Sequence, residues 1–175
     1  MIPILIHGKK YSIKAVNELK THEFIEMSKI ENCDMIKYIA WQTGLSMDSA
    51  FFAVTSKAVE QAIGKVPDIT KLKLPKDFDY TKTIDTVGQR HQVENSGKTG
   101  FELLVYCLAV SQACSNNSDK VMELEALYMQ RPFIKVLPAG FFFYNRYRGG
   151  KVRGRSFLNW QVVLTWMRSL KRRLV

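Results

Sequence analysis

The residues that most resemble a ligand-binding motif are Gly97-Lys98-Thr99, which stand directly before a predicted helix. A phosphate-binding loop of the GxxxxGK[ST] type wraps a phosphate with backbone amides, and it needs a glycine five positions before Gly97. That position holds Gln92. The motif is therefore incomplete, and we interpret it as the capped beginning of a helix rather than as a nucleotide site.

Histidines and carboxylates are the usual metal ligands and general bases of enzymes, but in this chain they are scattered. None of the three histidines lies in an HExxH or cysteine-rich context: His7, His22 and His91. The acidic stretch Asp77-Phe78-Asp79 is typical of a solvated loop, and no serine stands in a Gly-x-Ser-x-Gly turn. The sequence therefore predicts a non-enzymatic protein with no cofactor and no metal site.

Three cysteines are present, an odd number without paired spacing. Cys107 and Cys114 are seven residues apart in an apolar helical pattern, which predicts that they share one helix face, and Cys33 stands alone. Because free cysteine is among the most often buried residue types, we predict buried free thiols and neither a disulfide nor a metal site. Reduced thiols suit synthesis in a cytoplasm.

The charge of the chain is divided unevenly along its length. The net charge is +10, and no aspartate or glutamate follows Glu125. Residues 126–175 carry eleven lysines and arginines, which leaves a net charge of −1 on residues 1–125. A chain with one cationic end is expected to meet an acidic surface there, whether of a protein, a nucleic acid or an anionic lipid.

Aromatic residues and arginines are interleaved in this cationic end, as they are at protein interfaces and in single-strand nucleic-acid binders. We predict a partner-binding surface from the following residues: Phe141, Phe142, Phe143, Tyr144, Arg146, Tyr147, Arg148, Arg153, Arg155, Trp160 and Trp166. Contact with another protein subunit is favoured over contact with nucleic acid. A chain cut at Leu137 is expected to keep its first two-thirds folded but to be unable to join an assembly.

The first elements predicted along the chain are two short strands. The runs Ile2–Ile6 and Lys10–Ala15 flank His7-Gly8-Lys9, in which the glycine suits a tight hairpin turn. Two strands are marginal by themselves, so the hairpin must pack on helices or pair with another chain. Exposed strand edges are natural docking templates.

Capping residues predict a series of helices after the hairpin. The predicted helices in the first half are Glu18–Ile30 capped by Asn17, one between Asp34 and Gly44, one from Ser46 through Ala53, and Lys57–Ile63. In the second half, Thr99 with Glu102 has the form of a capping box, Ser118 caps a helix over Asp119–Gln130, Pro138 suits a first helical turn, and Phe157–Leu174 forms a last helix. The predicted fold is α+β and mainly helical.

The helical pattern is interrupted between residues 65 and 98, where Pro67, Pro75 and the alternating run Thr81–Val93 suggest an extended arm or a hairpin. We therefore predict three parts: a hairpin and short-helix domain over 1–66, a linker or arm over 67–98, and a helical region with a basic aromatic tail over 99–175. No run reaches the ~18 apolar residues of a membrane span, so none is expected.

The first third of the chain resembles tail proteins of tailed phages. The order of a strand pair, a helix at Asn17-Glu18-Leu19, and Ile39-Ala40-Trp41-Gln42-Thr43-Gly44-Leu45-Ser46 between helices is similar to phage tail assembly chaperones. It is also similar to the small baseplate-hub and tail-completion proteins. The resemblance covers residues 1–65 and carries no catalytic residues, and the cationic tail departs from the chaperone pattern.

The resemblance implies a structural component of a phage tail or baseplate. Its expected partners are other tail or baseplate subunits, and its expected location is the virion after assembly in the host cytoplasm. Two alternatives stay open. The first is a tail assembly chaperone that binds the tape-measure protein and is absent from the virion. The second is a nucleic-acid-binding protein that uses the arginine-rich, aromatic tail.

Overall fold

The computed structural model describes residues 1–54, 63–64, 66–84 and 87–149. The fold is α+β and mainly helical, as predicted. The strands are β1 (Ile2–Ile6), β2 (Lys9–Ile13) and β3 (Ala53–Val54), and the helices are α1 (Thr21–Lys29), α2 (Met35–Thr43), α3 (Met47–Phe51), α4 (Val87–Glu94), α5 (Gly100–Ala113), α6 (Ser118–Met129) and α7 (Phe133–Tyr147). Single 3₁₀ turns cover Val16–Glu18 and Ile69–Lys71.

The chain divides into two compact units, which we describe separately. Among the described residues, unit 1 comprises 1–19, 23–54, 63–64 and 66–67, and unit 2 comprises 20–22, 68–84 and 87–149. The predicted division into three parts remains a prediction about domains. The predicted helices Lys57–Ile63, apart from its last residue, and Phe157–Leu174 lie outside the described residues.

Unit 1 is built on an antiparallel sheet with the strand order β2-β1-β3. The hairpin predicted between β1 and β2 is confirmed, but its turn is the two residues His7 and Gly8, both with positive φ (49° and 75°). Two left-handed residues make a type I′ turn, whose twist matches that of the strands. Lys9 therefore belongs to β2, and it pairs with Ile6.

Helix α2 has the boundaries that its capping residues predict. The Asp34 carboxylate accepts a hydrogen bond from the Lys37 amide at 2.8 Å, and Gly44 ends the helix at φ +70° with its amide bonded to the Ala40 carbonyl. The buried Tyr38 of this helix donates its hydroxyl to the Lys14 carbonyl at 2.8 Å, directly after β2. These bonds position the helix on the end of the hairpin.

The first predicted helix, Glu18–Ile30 capped by Asn17, is wrong at its beginning. Residues Val16–Glu18 form a 3₁₀ turn instead, and Leu19 is extended with ψ 143°. The Glu18 carboxylate accepts a hydrogen bond from the Ala15 amide at 3.0 Å, which closes this turn. Helix α1 begins only at Thr21.

The helices of unit 2 are arranged around α5, which is buried on nearly every side. Helix α7 packs against it at Gly140, where an added Cβ would lie 2.5 Å from the Leu104 carbonyl oxygen. Glycine therefore sets the distance between these two helices. The helix predicted after Thr99 is confirmed, although the Thr99 side chain makes no capping bond and the predicted capping box is not formed.

Two further helix predictions in this unit need correction. Asn117, rather than Ser118, caps α6 through its side-chain oxygen, which accepts from the Asp119 and Lys120 amides. Pro138 lies in the interior of α7 rather than in its first turn. An interior proline costs roughly 3 kcal/mol in a free helix. Here the fully buried Phe133 and Leu137 on the same helix offset that cost by packing.

The segment before α5 is not the arm or hairpin that its alternating pattern suggested. Residues Val87–Glu94 form helix α4. Phe78 and Ile84 are buried, and the Gln112 side chain bonds the backbone of Asp79 twice, accepting from its amide at 3.3 Å and donating to its carbonyl at 2.9 Å. The alternating pattern was misleading because it continues into residues that form a helix, and because Phe78 also packs against Tyr128 of α6.

Candidate interaction site

Helix α7 carries the run of aromatic residues that the sequence nominates for partner binding. Phe143 and Tyr144 are buried, with 1% and 7% of their surface exposed, while Phe141 and Phe142 are half-buried. Successive residues of a helix point about 100° apart, so four in a row necessarily face several directions. Two of the four therefore belong to the core of unit 2 in this structure.

Tyr80 explains how the aromatic run is covered. Its ring stacks on Phe143 at 5.8 Å between centroids and meets Phe142 edge-on at 5.1 Å. Its hydroxyl donates to the Pro75 carbonyl at 2.7 Å. Burial raises the pKa of Tyr80 to about 12. The sequence gives no sign of this contact because Tyr80 is more than sixty residues away.

The predicted charged contacts in the described part of the chain already have partners inside unit 2. Arg146 donates to the Tyr80 carbonyl at 2.8 Å, and the Arg148 guanidinium lies 5.5 Å from the centre of the Tyr144 ring. Tyr147 is half-buried; burial and a hydrogen bond with Glu94 raise its pKa to about 12. The remaining nominated residues lie outside the described residues: Arg153, Arg155, Trp160 and Trp166.

These contacts argue against the expectation that a chain cut at Leu137 keeps its first two-thirds folded. The cut falls inside α7 and removes Gly140, Phe143 and Tyr144 from the core of unit 2. Losing one buried phenylalanine alone typically costs about 3–5 kcal/mol, a large part of the stability of a domain. The truncated chain would therefore lose unit 2 as well as any partner contact.

Unit 1 carries an exposed aromatic pair that the sequence analysis missed. Phe51 is the last residue of the short helix α3 and Phe52 follows it; 68% and 58% of their surfaces are exposed, and their rings meet edge-on at 5.8 Å. Ala50 is the buried residue of this turn. A five-residue helix has one inward face, so two phenylalanines directly after Ala50 cannot both reach the core. That spacing is the signal that was available in the sequence.

The exposed pair continues onto the outer face of the sheet. The ring of His7, in the turn after β1, lies 5.0 Å from the Phe52 ring, and Leu5 of β1 is 43% exposed. We call Leu5, His7, Phe51 and Phe52 the aromatic patch. Its side chains are apolar apart from one imidazole. Large exposed apolar groups that lie together are typical of protein–protein contact surfaces.

The residues first considered for chemistry do not converge. Asp77 forms an ion pair with Arg131, the Asp79 carboxylate accepts from the Thr81 hydroxyl and amide, and Lys98 pairs with Glu125 at 2.7 Å. No group of three histidine, cysteine or carboxylate side chains that could hold a metal ion occurs among the described residues. Across the same residues, no helix is both long and apolar enough to span a membrane.

The cysteines are only partly as predicted. Cys33 and Cys107 are buried free thiols, and burial raises the pKa of Cys33 to about 11 and that of Cys107 to about 12. Cys114 is exposed, because α5 ends at Ala113 and Cys114 adopts a left-handed conformation with φ +48°. It does not share the helix face of Cys107.

Comparisons with known proteins leave the family open. No protein-family model matches the chain, and neither a curated protein nor a solved structure does. The likeness to phage tail proteins thus stays a prediction from the motif in residues 1–65. The candidate site for binding a partner is the aromatic patch of unit 1, which is defined by its geometry alone.

Proposed function

We propose that this chain is a non-enzymatic structural subunit of a bacteriophage tail or baseplate, incorporated through contacts with neighbouring subunits. The single observation that carries the proposal is the exposure of Phe51 and Phe52 side by side on unit 1. Burying one phenylalanine against a partner stabilises a complex by about 1.5–3 kcal/mol. Aromatic residues are also enriched where interfaces are buried most completely.

The proposed main contact is on unit 1 and not at the residues that the sequence favoured. Phe143 and Tyr144 support the core of unit 2, and Arg146 is bonded to the backbone of that unit. Phe51 and Phe52 are largely exposed and do not support a core within the described residues. The assignment to a phage tail or baseplate rests on the sequence resemblance, and the assembled virion is the proposed location.

A double substitution tests the contact. Phe51→Ser with Phe52→Ser removes both rings from a surface position and is expected to leave the fold unchanged. Val87→Ser is the matched control, since it removes an 85% exposed apolar side chain from unit 2. We expect the control to be incorporated into particles like the unsubstituted chain and the double variant to be lost from them. Equal incorporation of all three would contradict the proposal.

Mass spectrometry of purified particles separates the proposed function from the chaperone alternative. A structural subunit is present in finished particles, whereas a tail assembly chaperone is found with the tape-measure protein and is absent from them. The nucleic-acid alternative predicts an affinity for DNA that falls steeply with salt, because each contacted phosphate releases a counterion. A titration at two salt concentrations tests it.

A further inference from the structure

The outer edge of β2 is an open sheet edge, and its geometry follows from the hairpin turn. A type I′ turn joins the carbonyl of Ile6 to the amide of Lys9, so these two residues form a hydrogen-bonded pair. Hydrogen-bonded and non-bonded pairs alternate in an antiparallel ladder. Lys10 and Ser12, which are opposite Leu5 and Pro3, therefore direct their amides and carbonyls away from β1.

The other side of β1 agrees with this alternation and is paired in part with β3. Leu5 directs its backbone groups toward β3, where it pairs with Val54. The next residue of β1 that faces this side is Pro3, which has no amide to offer. Within the described residues, β2 has β1 as its strand neighbour and no strand on its other side. Among the described residues, β2 and β3 are the two edge strands of this sheet, and β2, with five residues against two, offers the longer edge to another chain.

The charge of this edge indicates what it accepts. Lys9 and Lys10 are both exposed, and neither forms an ion pair with a described residue. No acidic residue occurs before Glu18 in the sequence. Lysines on an edge strand disfavour pairing with a strand that also carries lysines, which includes β2 of a second copy. They favour a strand that brings carboxylates.

We infer that the β2 edge binds an extended, acidic segment of a partner protein by strand addition. The two faces of β2 specify how that segment alternates. Lys10 and Ser12 lie on the solvent face, where Lys10 favours an acidic residue opposite it. Lys9 shares the other face with the half-buried Tyr11 and the fully buried Ile13, and these two residues favour apolar residues opposite them. This inference deepens the proposed assembly role by naming the chemistry of one neighbour.

Amide exchange on the full chain tests the inference with a synthetic probe. The probe is a blocked peptide of four Val-Glu repeats, and a blocked peptide of four Val-Lys repeats is the control. The amides of Lys10 and Ser12 are expected to gain protection with the glutamate peptide, and Tyr11, whose amide already bonds β1, is expected to show little change. Equal protection by the lysine peptide, or protection of the chain alone at high concentration through self-pairing, would overturn the acidic-partner assignment.

Backbone and charge variants separate strand addition from simple electrostatic attraction. Ser12→Pro removes the outward amide without removing a bond to β1, and it is expected to weaken peptide binding roughly tenfold or more. Ser12→Ala keeps the amide and should bind normally. Lys10→Glu is expected to weaken binding by about three- to tenfold, whereas Lys73→Glu, which changes the charge equally on unit 2, should not. Native exchange at Tyr11 in Ser12→Pro verifies that the hairpin is intact.

The outcomes also distinguish this inference from the proposed function. Peptide binding at the β2 edge without incorporation into particles would retain the inference and reject the assembly role. Incorporation that is insensitive to Ser12→Pro, together with no protection of Lys10 and Ser12 by the peptide, would retain the assembly role and reject the inference. Undiminished binding of the glutamate peptide by Ser12→Pro would reject strand addition directly.

Discussion

The two units of this protein treat their aromatic side chains in opposite ways. In unit 2, helix α7 carries a run of aromatic residues. Part of this run is buried, because α7 packs against helix α5 and because Tyr80 covers Phe142 and Phe143. In unit 1, Phe51 and Phe52 lie at the end of a five-residue helix and remain largely exposed. The comparison teaches that the density of aromatic residues in a sequence does not tell which of them are exposed. Whether a ring is covered depends on the residues that pack around it.

The largest expected effect separates the two kinds of aromatic residue. Phe143→Ala removes a buried ring from unit 2 and is expected to lower the free energy of unfolding by about 3–5 kcal/mol. Phe51→Ala is expected to change it by less than about 0.5 kcal/mol, because the ring is already in water. Chemical denaturation followed by circular dichroism measures both. Similar losses for the two variants would break the comparison.

The close contact between α5 and α7 is the next test. Gly140→Ala places a Cβ against the Leu104 carbonyl, which is backbone and cannot move aside, so we expect a loss of about 1–3 kcal/mol in unfolding free energy. Gly88→Ala is the matched control. Its Cβ would meet only the end of the Asn116 side chain, which can rotate away, so the higher helix propensity of alanine should stabilise the chain by up to ~1 kcal/mol.

A smaller change in unfolding free energy is expected at the helix N-termini, of which we compare one in each unit. Asp34 accepts a capping hydrogen bond and Thr99 makes none through its side chain. Asp34→Ala is therefore expected to cost about 1 kcal/mol of unfolding free energy, and Thr99→Ala only a few tenths. The same denaturation experiment decides between them. If the two substitutions lowered the unfolding free energy equally, the capping hydrogen bond of Asp34 would make no net contribution to stability.

The least perturbing test uses the native thiols. Cys33 in unit 1 and Cys107 in unit 2 are buried, and their pKa values are raised to about 11 and about 12. Both thiols should therefore react slowly with a thiolate-specific reagent near neutral pH. The exposed Cys114 should react faster. In increasing urea, we expect Cys33 to become reactive before Cys107, because the smaller unit buries a smaller core. Simultaneous reaction, detected by peptide mass spectrometry, would instead indicate one cooperative transition.

Much of the fold was predictable because its signals are local. The Gly8 turn, the boundaries of α2 at Asp34 and Gly44, and the all-round burial of α5 each depend on residues within a few positions of one another. The exposure of the aromatic residues was less predictable. Phe143 and Tyr144, which the sequence nominated for partner binding, are buried in unit 2, and the exposure of Phe51 and Phe52 was not predicted.

The sequence by itself determined the helical α+β class, the hairpin and the uneven distribution of charge, since these follow from residue type, spacing and count. Only the tertiary structure decided which aromatic rings are covered. Phe143 is buried because Gly140 lets α7 approach α5 and because Tyr80, distant in sequence, stacks on its ring. Burial is a property of what surrounds a side chain, and residues far along the chain supply those surroundings.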